Sequence, residues 1–377
     1  MRIGIPRALM FYRYYPFLKT FVEGCGHEVV TSPPTDLKIL ERGTECCVDD
    51  ICVAVKAFFG HIDYLKGGVD ALLVPRLVSV EKRRYDTFTC PKLIAAPDMA
   101  RFFPQRPPLL LEWVLDVKRA PWWWGCLRLA AQLGATPCRA FDAYRAARRE
   151  QARYEELLQR GLLPHEALGE AAGGPSVIAR EERGRGSAVS GDGDGAGNAQ
   201  EVRGAVTVSG AGSCIRRPRP VQGDITVAVV GHPYLLGDHL LNNNLFLWLR
   251  QGGARVVANT VFGEEELEEE VRLLPDLSWS YERELLAAAF RFSGMDAVDG
   301  IIYLTSFGCG PDSMVMEMFK REVLPRGGKA FMEMVLDEHS AESGVRTRVE
   351  AFVDMIRYRK AKGAQTPAAI QAGGGGG

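Results

Sequence analysis

Short apolar runs alternate with longer amphipathic stretches in the first part of the chain. Residues 2–5 and 28–31 have the length and apolar content of strands, and residues 12–23 between them predict a helix that stops at Gly24. Residues 71–75 are apolar throughout, which is typical of a strand buried on both faces. This strand–helix–strand order predicts the beginning of a parallel α/β sheet.

The same alternation resumes in the second half of the chain. Apolar runs predict strands at residues 225–230, 256–257, 300–304 and 329–335, and amphipathic stretches predict helices at 240–251, 282–292, 313–322 and 347–357. Strands that alternate with helices form parallel sheets, because each helix carries the chain back to the edge where the next strand begins. A second unit of the same class is therefore expected.

The predicted fold class is α/β, with two Rossmann-like parallel-sheet domains, a helical segment between them and a disordered insertion. The insertion is rich in Gly, Ser, Ala and Asp and has almost no large apolar residue, so it cannot bury enough surface to fold. The expected divisions are an N-terminal α/β domain (1–120), a helical segment (121–165), a disordered linker (166–223), a second α/β domain (224–362) and a flexible tail (363–377).

Charge and composition exclude several classes of function. The net charge of −1 provides no field that would attract nucleic acid or an anionic membrane. No apolar run reaches the ~20 residues that a membrane span needs, and the N-terminus lacks the features of a signal peptide, so a cytoplasmic protein is expected. Nine cysteines without a secretion signal favour metal or redox chemistry over a disulfide framework.

Two of the cysteines stand close together at the start of a predicted helix over residues 50–65. Cys47 and Cys52 have four residues between them, a spacing that also occurs in some iron–sulfur sites. The dipole at a helix N-terminus stabilises the thiolate that a metal needs. The spacing alone is a weak signal, and Cys46 could exchange roles with its neighbour Cys47.

Two further cysteines have the surroundings of metal ligands. Cys90 precedes Pro91, whose ring stiffens the loop and removes an N–H. Cys309 lies between two glycines directly after an apolar strand, at the carboxyl end where sites gather in parallel sheets. Together with Cys47 and Cys52, they predict a metal site. The remaining cysteines are interpreted as small buried hydrophobes: Cys25, Cys126, Cys138 and Cys214.

Several motifs occur in one order along most of the chain. They are Ile3–Leu9 (IGIPRAL), Cys47–Cys52 (CVDDIC), Cys90–Lys92 (CPK), Gly231–Tyr234 (GHPY), Phe307–Ser313 (FGCGPDS) and Asp337–His339 (DEH). This series resembles the acyl-CoA dehydratase activase-related proteins. That family is similar to the cluster-bearing subunits of 2-hydroxyacyl-CoA dehydratases and benzoyl-CoA reductases, and to double-cubane cluster proteins.

The resemblance implies an iron–sulfur cluster held between two Rossmann-like domains by Cys47, Cys52, Cys90 and Cys309. A single 4Fe–4S cluster is expected, since a double cubane needs more cysteines. It also implies a partner, an ATP-hydrolysing iron–sulfur activase that delivers low-potential electrons. Because no phosphate-binding motif of that ATPase occurs here, the activase would be a separate chain.

The resemblance further implies a role in anaerobic metabolism, an acyl-CoA as a candidate substrate, and a homo- or heterodimer. The enzyme class is left open between a 2-hydroxyacyl-CoA dehydratase-like lyase and a component of an ATP-dependent reductase.

Polar residues within these motifs are candidates for proton transfer or for contacts around a metal. His232, Glu338 and His339 are the predicted catalytic residues, and Asp312 is a further candidate. Each of these side chains could instead cap a helix or form a hydrogen bond within a loop. Two alternatives stay open: the four cysteines could bind structural zinc, or the chain could be a scaffold or regulatory subunit without a cluster.

Overall fold

The computed structural model describes residues 1–83, 86–103, 108–171, 224–263, 265–274, 276–323 and 328–365, together with a two-residue antiparallel pair, β5 (Thr207–Val208) and β6 (Ile215–Arg216). The main architecture is two four-stranded parallel sheets flanked by helices. The predicted α/β class is therefore confirmed. Apart from β5 and β6, the rest of the predicted insertion from residue 172 to 223 lies outside the described residues.

The first sheet contains β1 (Arg2–Ile5), β2 (Glu28–Thr31), β3 (Ala71–Ser79) and β4 (Leu109–Asp116), in the order β2-β1-β3-β4. All neighbouring pairs are parallel, with Ile3 opposite both Val29 and Ala71. Its helices are Phe11–Gly24, Leu37–Glu45, Val53–Leu65, Pro91–Ile94 and Ala96–Arg101.

The second sheet contains β7 (Ile225–Gly231), β8 (Ala254–Ala258), β9 (Gly300–Ser306) and β10 (Ala330–Leu336), in the order β10-β9-β7-β8. Its helices are Pro233–Gly237, Leu245–Gln251, Glu268–Leu273, Ser280–Gly294, Gly310–Met318 and Glu342–Gln365, with short turns Asn259–Val261, Glu265–Leu267 and Phe319–Val323.

The two sheets share one connectivity. In each, the first strand of the unit lies between the second and the third, and the fourth lies beyond the third. The second strand therefore lies on one side of the first strand, and the third and fourth strands lie on its other side. The gap between the first and third strands is a topological switch point, and ligands in open parallel sheets bind at the carboxyl ends of the strands there.

Three helices follow the first sheet in sequence: Trp122–Gln132, Pro137–Gln159 and Pro164–Ala171. The predicted helical segment thus continues six residues into the stretch expected to be a disordered linker, and that part of the prediction is wrong. Ala167 is buried in this last helix against Tyr154 and Leu157, which gives the segment the apolar contact it needs to fold. The final helix likewise extends to Gln365, and residues 366–377 of the expected tail lie outside the described part.

The two sheet units pack directly on each other. The hydroxyl groups of Tyr14 and Tyr281 are 2.8 Å apart in a buried contact, and Arg13 forms an ion pair with Glu284 at 2.9 Å. Phe88 also forms a parallel bridge with the second unit, donating its N–H to the carbonyl of Ser278 at 2.7 Å. These contacts fix the loop before Cys90 against the second unit. Among the described residues, no helix combines the length and apolar character that crossing a membrane requires.

A buried polar cluster also connects the units. The hydroxyl of Thr35 donates to the carboxylate of Asp238 and lies 3.0 Å from Nε2 of His61. Burial, assisted by the positive charge of Arg7, lowers the pKa of His61 to about 3. Burial raises the pKa of Asp238 to about 6, against the hydrogen bond from Thr35 and the charge of Arg7.

We expect His61 to make the fold sensitive to acid. Because the pKa of His61 is lowered, the buried neutral ring contributes its full stability above about pH 6.5. This stability is lost as the pH falls toward 3. Between pH 6.5 and 4 the loss is about 3 kcal/mol. Unfolding free energies of the wild type and His61→Gln, measured across this range, should show a shallower acid dependence in the variant.

Asp238 acts with the opposite sign, because its raised pKa costs stability as the pH rises through about 6. The His61→Gln variant retains this contribution, so the difference between the two curves isolates the histidine. Parallel curves would show that His61 does not carry the acid dependence.

Candidate metal site

The switch points of the two sheets open onto one cavity. Leu9 and Met10 follow β1, Cys90 follows β3, His232 follows β7 and Cys309 follows β9, and all five line this space. The cavity volume is about 20 Å³. Its full lining is Leu9, Met10, Cys52, Ala54, Val55, Cys90, Lys92, Leu93, His232, Tyr234, Glu282 and Cys309.

The three cysteines and the histidine of this lining each immediately precede a helix. Cys52 stands before Val53–Leu65 and Cys309 before Gly310–Met318. Cys90 and His232 stand before shorter helices, each of which begins with proline. The first-turn N–H groups of the two longer helices place partial positive charge near the sulfurs, which favours thiolates over thiols. The cavity therefore concentrates groups that stabilise negative charge.

The loops that carry these residues are held by contacts between the units. Gly308 has φ of +75°, and a Cβ at this position would lie 2.9 Å from the carbonyl oxygen of Asp50. Glycine is required here because the backbone adopts a left-handed conformation and approaches another backbone closely. Lys92 also donates from Nζ to the carbonyl of Gly308 at 2.9 Å. The Cys52, Cys90 and Cys309 loops thus meet at one point.

His232 and Asp312 form a buried pair beside Cys309. Nε2 of His232 is 3.3 Å from Oδ1 of Asp312 and 3.8 Å from Oε1 of Glu282. The hydroxyl of Thr305 donates to Asp312 at 2.8 Å. Burial acts to lower the pKa of His232, but the negative charges of Asp312 and Glu282 outweigh burial and raise this pKa well above its ordinary value. The ligand atoms of His232, Cys309 and Asp312 all lie within 4.8 Å of one another.

Burial keeps the thiols of Cys90 and Cys309 neutral unless a cation replaces their protons. Burial raises the pKa of Cys90 to about 11, against a backbone hydrogen bond from Lys92. Burial also raises the pKa of Cys309, although a hydrogen bond with His232 works in the other direction. A bound metal supplies the missing positive charge and releases the protons. The donor set is therefore one that fits a metal centre.

The structure does not place the predicted fourth cysteine in this cavity lining. Cys47 is half-buried beside Cys46 and Lys56, and burial raises its pKa to about 12. Cys25 and Cys126 are buried elsewhere in the core, as expected. Cys138 is exposed, so its interpretation as a buried hydrophobe is wrong, and Cys214 lies outside the described residues.

The other predicted catalytic residues lie apart from the lining. Glu338 forms an ion pair with the buried amine of Lys56. Lys56 lies near the start of the helix Val53–Leu65, which follows Cys52. His339 is 82% exposed, and its Nε2 is 3.6 Å from Oε1 of Glu338. Of the three predicted catalytic residues, only His232 lines the cavity. The catalytic roles remain predictions.

Sequence reasoning missed Glu282 and Tyr234. Glu282 is 1% exposed within the helix Ser280–Gly294, and burial raises its pKa. Tyr234 stacks on His232, with ring centroids 5.1 Å apart. A carboxylate on the buried face of a helix is costly without a partner, and that position was the available signal for Glu282.

The fold and the site define a class: a two-sheet α/β protein whose facing switch points share a cavity lined by cysteines. The family described as the CoA enzyme activase uncharacterised domain (DUF2229) matches residues 2–261. The chain belongs to this family. The matched region includes Cys47, Cys52, Cys90 and His232, and it ends before Cys309.

No curated protein matches the sequence. Among solved structures, the chain is similar to the C-terminal domain of glucosamine-fructose-6-phosphate aminotransferase from Francisella tularensis, with 9% identity and a TM-score of 0.20. The likeness covers 95% of this chain and 85% of that one. A score of this size says nothing about the function of the present protein.

Proposed function

We propose that this chain is an iron–sulfur protein that accepts low-potential electrons in a CoA enzyme activase system. Cys52, Cys90 and Cys309 would supply thiolates to a 4Fe–4S cluster in the shared cavity. One observation carries the proposal: three cysteines, far apart in sequence, line a single cavity between two sheets. Structural cysteines scattered through a core have no reason to meet at facing switch points.

The form of the cavity supports a cluster. The cysteines come from both units, so the bound group would join them at the cleft. Around a cluster each thiolate binds a different iron, which sets the sulfurs farther apart than around one ion.

A cluster, when bound, takes up and releases single electrons. The residues of this chain would set the conditions for that exchange. Leu9, Met10 and Leu93 provide an apolar wall that limits water. The amine of Lys92 and the helix N-termini after Cys52 and Cys309 offset negative charge. Low-potential electrons would come from an ATP-hydrolysing activase on a separate chain.

A second, apolar cavity supports the proposal that an acyl-CoA is the substrate. It lies in the first unit, has a volume of about 30 Å³ and shares Leu9, Met10 and Leu93 with the cysteine cavity. Its remaining lining is apolar or aromatic, including Phe11 and Phe58. The chemistry of this lining suits contact with the hydrocarbon part of a thioester beside an electron-carrying group. Dehydratase-like and reductase-like reactions both fit this arrangement.

A mononuclear metal is the second candidate, because the ligand atoms of His232, Cys309 and Asp312 lie within 4.8 Å of one another. That closeness is typical of groups around a single ion such as zinc. The two candidates predict different metal contents. They also predict different colours, because zinc has no redox chemistry and gives no visible absorption.

Anaerobic purification followed by metal and sulfide analysis tests the proposal. We expect iron and acid-labile sulfide in equal amounts, with a brown colour that oxygen bleaches. Stoichiometric zinc without sulfide would contradict an iron–sulfur centre and favour the mononuclear site. Metal-free protein that takes up neither metal on reconstitution would instead favour a scaffold role.

A further inference from the structure

We propose that His232, rather than Cys47, is the fourth protein ligand of the cluster. This inference rests on the proposed function and specifies the ligand set at that site. The four ligands would be Cys52, Cys90, Cys309 and His232, two from each sheet unit. Each of them immediately precedes a helix at the rim of one cavity.

The position of His232 is the first reason. The side chain directly follows β7, the strand adjacent to the one that leads to Cys309. His232 is 3% exposed and lines the same cavity as the three cysteines. Imidazole is a common metal ligand, and histidines replace cysteines on one iron in some iron–sulfur centres.

The hydrogen bonding of the ring is the second reason. Nε2 of His232 is 3.3 Å from the carboxylate of Asp312, whereas Nδ1 is buried without a hydrogen-bond partner among the described residues. A metal-binding histidine almost always directs its other ring nitrogen to a carboxylate or carbonyl, which fixes the ring and raises its basicity. A buried ring nitrogen with no partner is otherwise costly, and a metal would satisfy it.

Asp312, which would orient the His232 ring, is itself held in place by hydrogen bonds. It accepts a hydrogen bond from Thr305 at 2.8 Å and lies 3.5 Å from the hydroxyl of Tyr303. With Glu282, it places negative charge next to the ring, which favours a cation bound there. Asp312 therefore orients His232, while Thr305 and Tyr303 orient Asp312.

Cys47 lacks the corresponding features. It is absent from the cavity lining, and it does not immediately precede the helix Val53–Leu65, as Cys52 does. The ionisable groups that act on it are Cys46, Lys56 and Cys52, and Lys56 is already bonded to Asp49 and Glu338. We infer that the pair Cys47 and Cys52 contributes one ligand, Cys52.

Replacing a thiolate by a neutral imidazole removes one negative charge from the ligand set. In known iron–sulfur centres, histidine ligation raises the reduction potential. His232 would thus make the centre easier to reduce than one held by four cysteines. The variant His232→Cys should retain iron and show a lower reduction potential than the wild type.

Pulsed EPR of the reduced protein tests the inference without a mutation. Protein with natural nitrogen and protein labelled with ¹⁵N-histidine should differ in a strong hyperfine coupling from a directly bonded nitrogen. We expect that coupling to be absent in His232→Cys. A full iron and sulfide content with no histidine coupling in the wild type would overturn the inference while leaving the proposed function in place.

Metal content in two variants provides an independent readout. Cys47→Ser should keep the wild-type iron and sulfide content, whereas His232→Ala should retain less than half of it. Loss of iron in Cys47→Ser, together with full iron in His232→Ala, would restore Cys47 as the ligand. Wild-type protein without iron or sulfide after anaerobic reconstitution would instead overturn the proposed function itself.

Discussion

Replacing Cys309 by serine is expected to remove most of the iron and sulfide from the anaerobically reconstituted protein. The side chain is 5% exposed and lines the shared cavity, and the residue immediately precedes the helix Gly310–Met318. Serine keeps the size of the side chain but is not a thiolate donor. Loss of contacts that merely orient ligands lowers metal affinity by about 10–100-fold, so loss of a ligand should cost at least as much.

Cys126→Ser is the matched control. Cys126 is also buried, at 2% exposure, but it lies on the helix Trp122–Gln132 outside the cysteine cavity. We expect wild-type iron and sulfide in this variant and a loss of more than about 10-fold in iron affinity for Cys309→Ser. Equal metal content in the two variants would show that Cys309 does not hold the group.

Lys56→Met is expected to destabilise the protein by about 3–5 kcal/mol, the usual cost of breaking a buried ion pair on one side. The lysine side chain is 2% exposed and that of Glu338 is 14% exposed. Nζ of Lys56 donates to Glu338 and, at 2.8 Å, to the carbonyl of Asp49 in the loop before Cys52. Methionine fills similar volume but leaves the carboxylate and the carbonyl without their donor. Chemical denaturation measures the change in unfolding free energy.

A double variant separates the charge from the packing. Lys56→Met combined with Glu338→Gln removes both charges, and we expect it to recover about half or more of the lost stability, because the unpaired buried carboxylate is gone. A single variant as stable as the wild type would contradict the role assigned to this pair. Reduced iron content in the single variant would further link the pair to the Cys52 loop.

The strands were the most predictable part of the fold. The apolar runs that become β1, β2, β3, β7, β9 and β10 begin within a residue of their predicted starts. In β7 and β9 nearly every residue is buried, and strands buried on both faces are continuously apolar. β4 (Leu109–Asp116) was not predicted, although its leucine-rich beginning is compatible with a strand. Its place beside β3 depends on tertiary pairing.

Helix boundaries were less predictable where local backbone conformations intervene. The helix expected from residue 240 begins at Leu245, since Asn243 and Asn244 adopt φ values of +50° and +56°. Asparagine tolerates this left-handed region, which a helix does not use. Conversely, the helix expected from residue 313 begins at Gly310, directly after Cys309, so the cysteine stands closer to the helix N-terminus than predicted.

Only part of the candidate site could be predicted from the sequence. Cys90 and Cys309 could be singled out from the proline, the glycines and the strand that adjoin them, and Cys52 from its spacing to Cys47 and the predicted helix there. That these three cysteines line one cavity could not be predicted, because it depends on the matching strand orders of two sheets and on how those sheets face each other. The placement of Cys47 outside the lining, and of Glu282 inside it, likewise follows from packing between distant segments.

EPR spectroscopy of the anaerobic protein before and after reduction shows whether these cysteines hold an electron-accepting cluster. We expect no signal from the oxidised cluster and a low-temperature iron–sulfur signal after addition of a strong reductant, accounting for most of the iron present. That signal should disappear in Cys309→Ser and persist in Cys126→Ser. A protein that contains zinc, or iron without any reducible iron–sulfur signal, would contradict the claim that these cysteines hold an electron-accepting cluster.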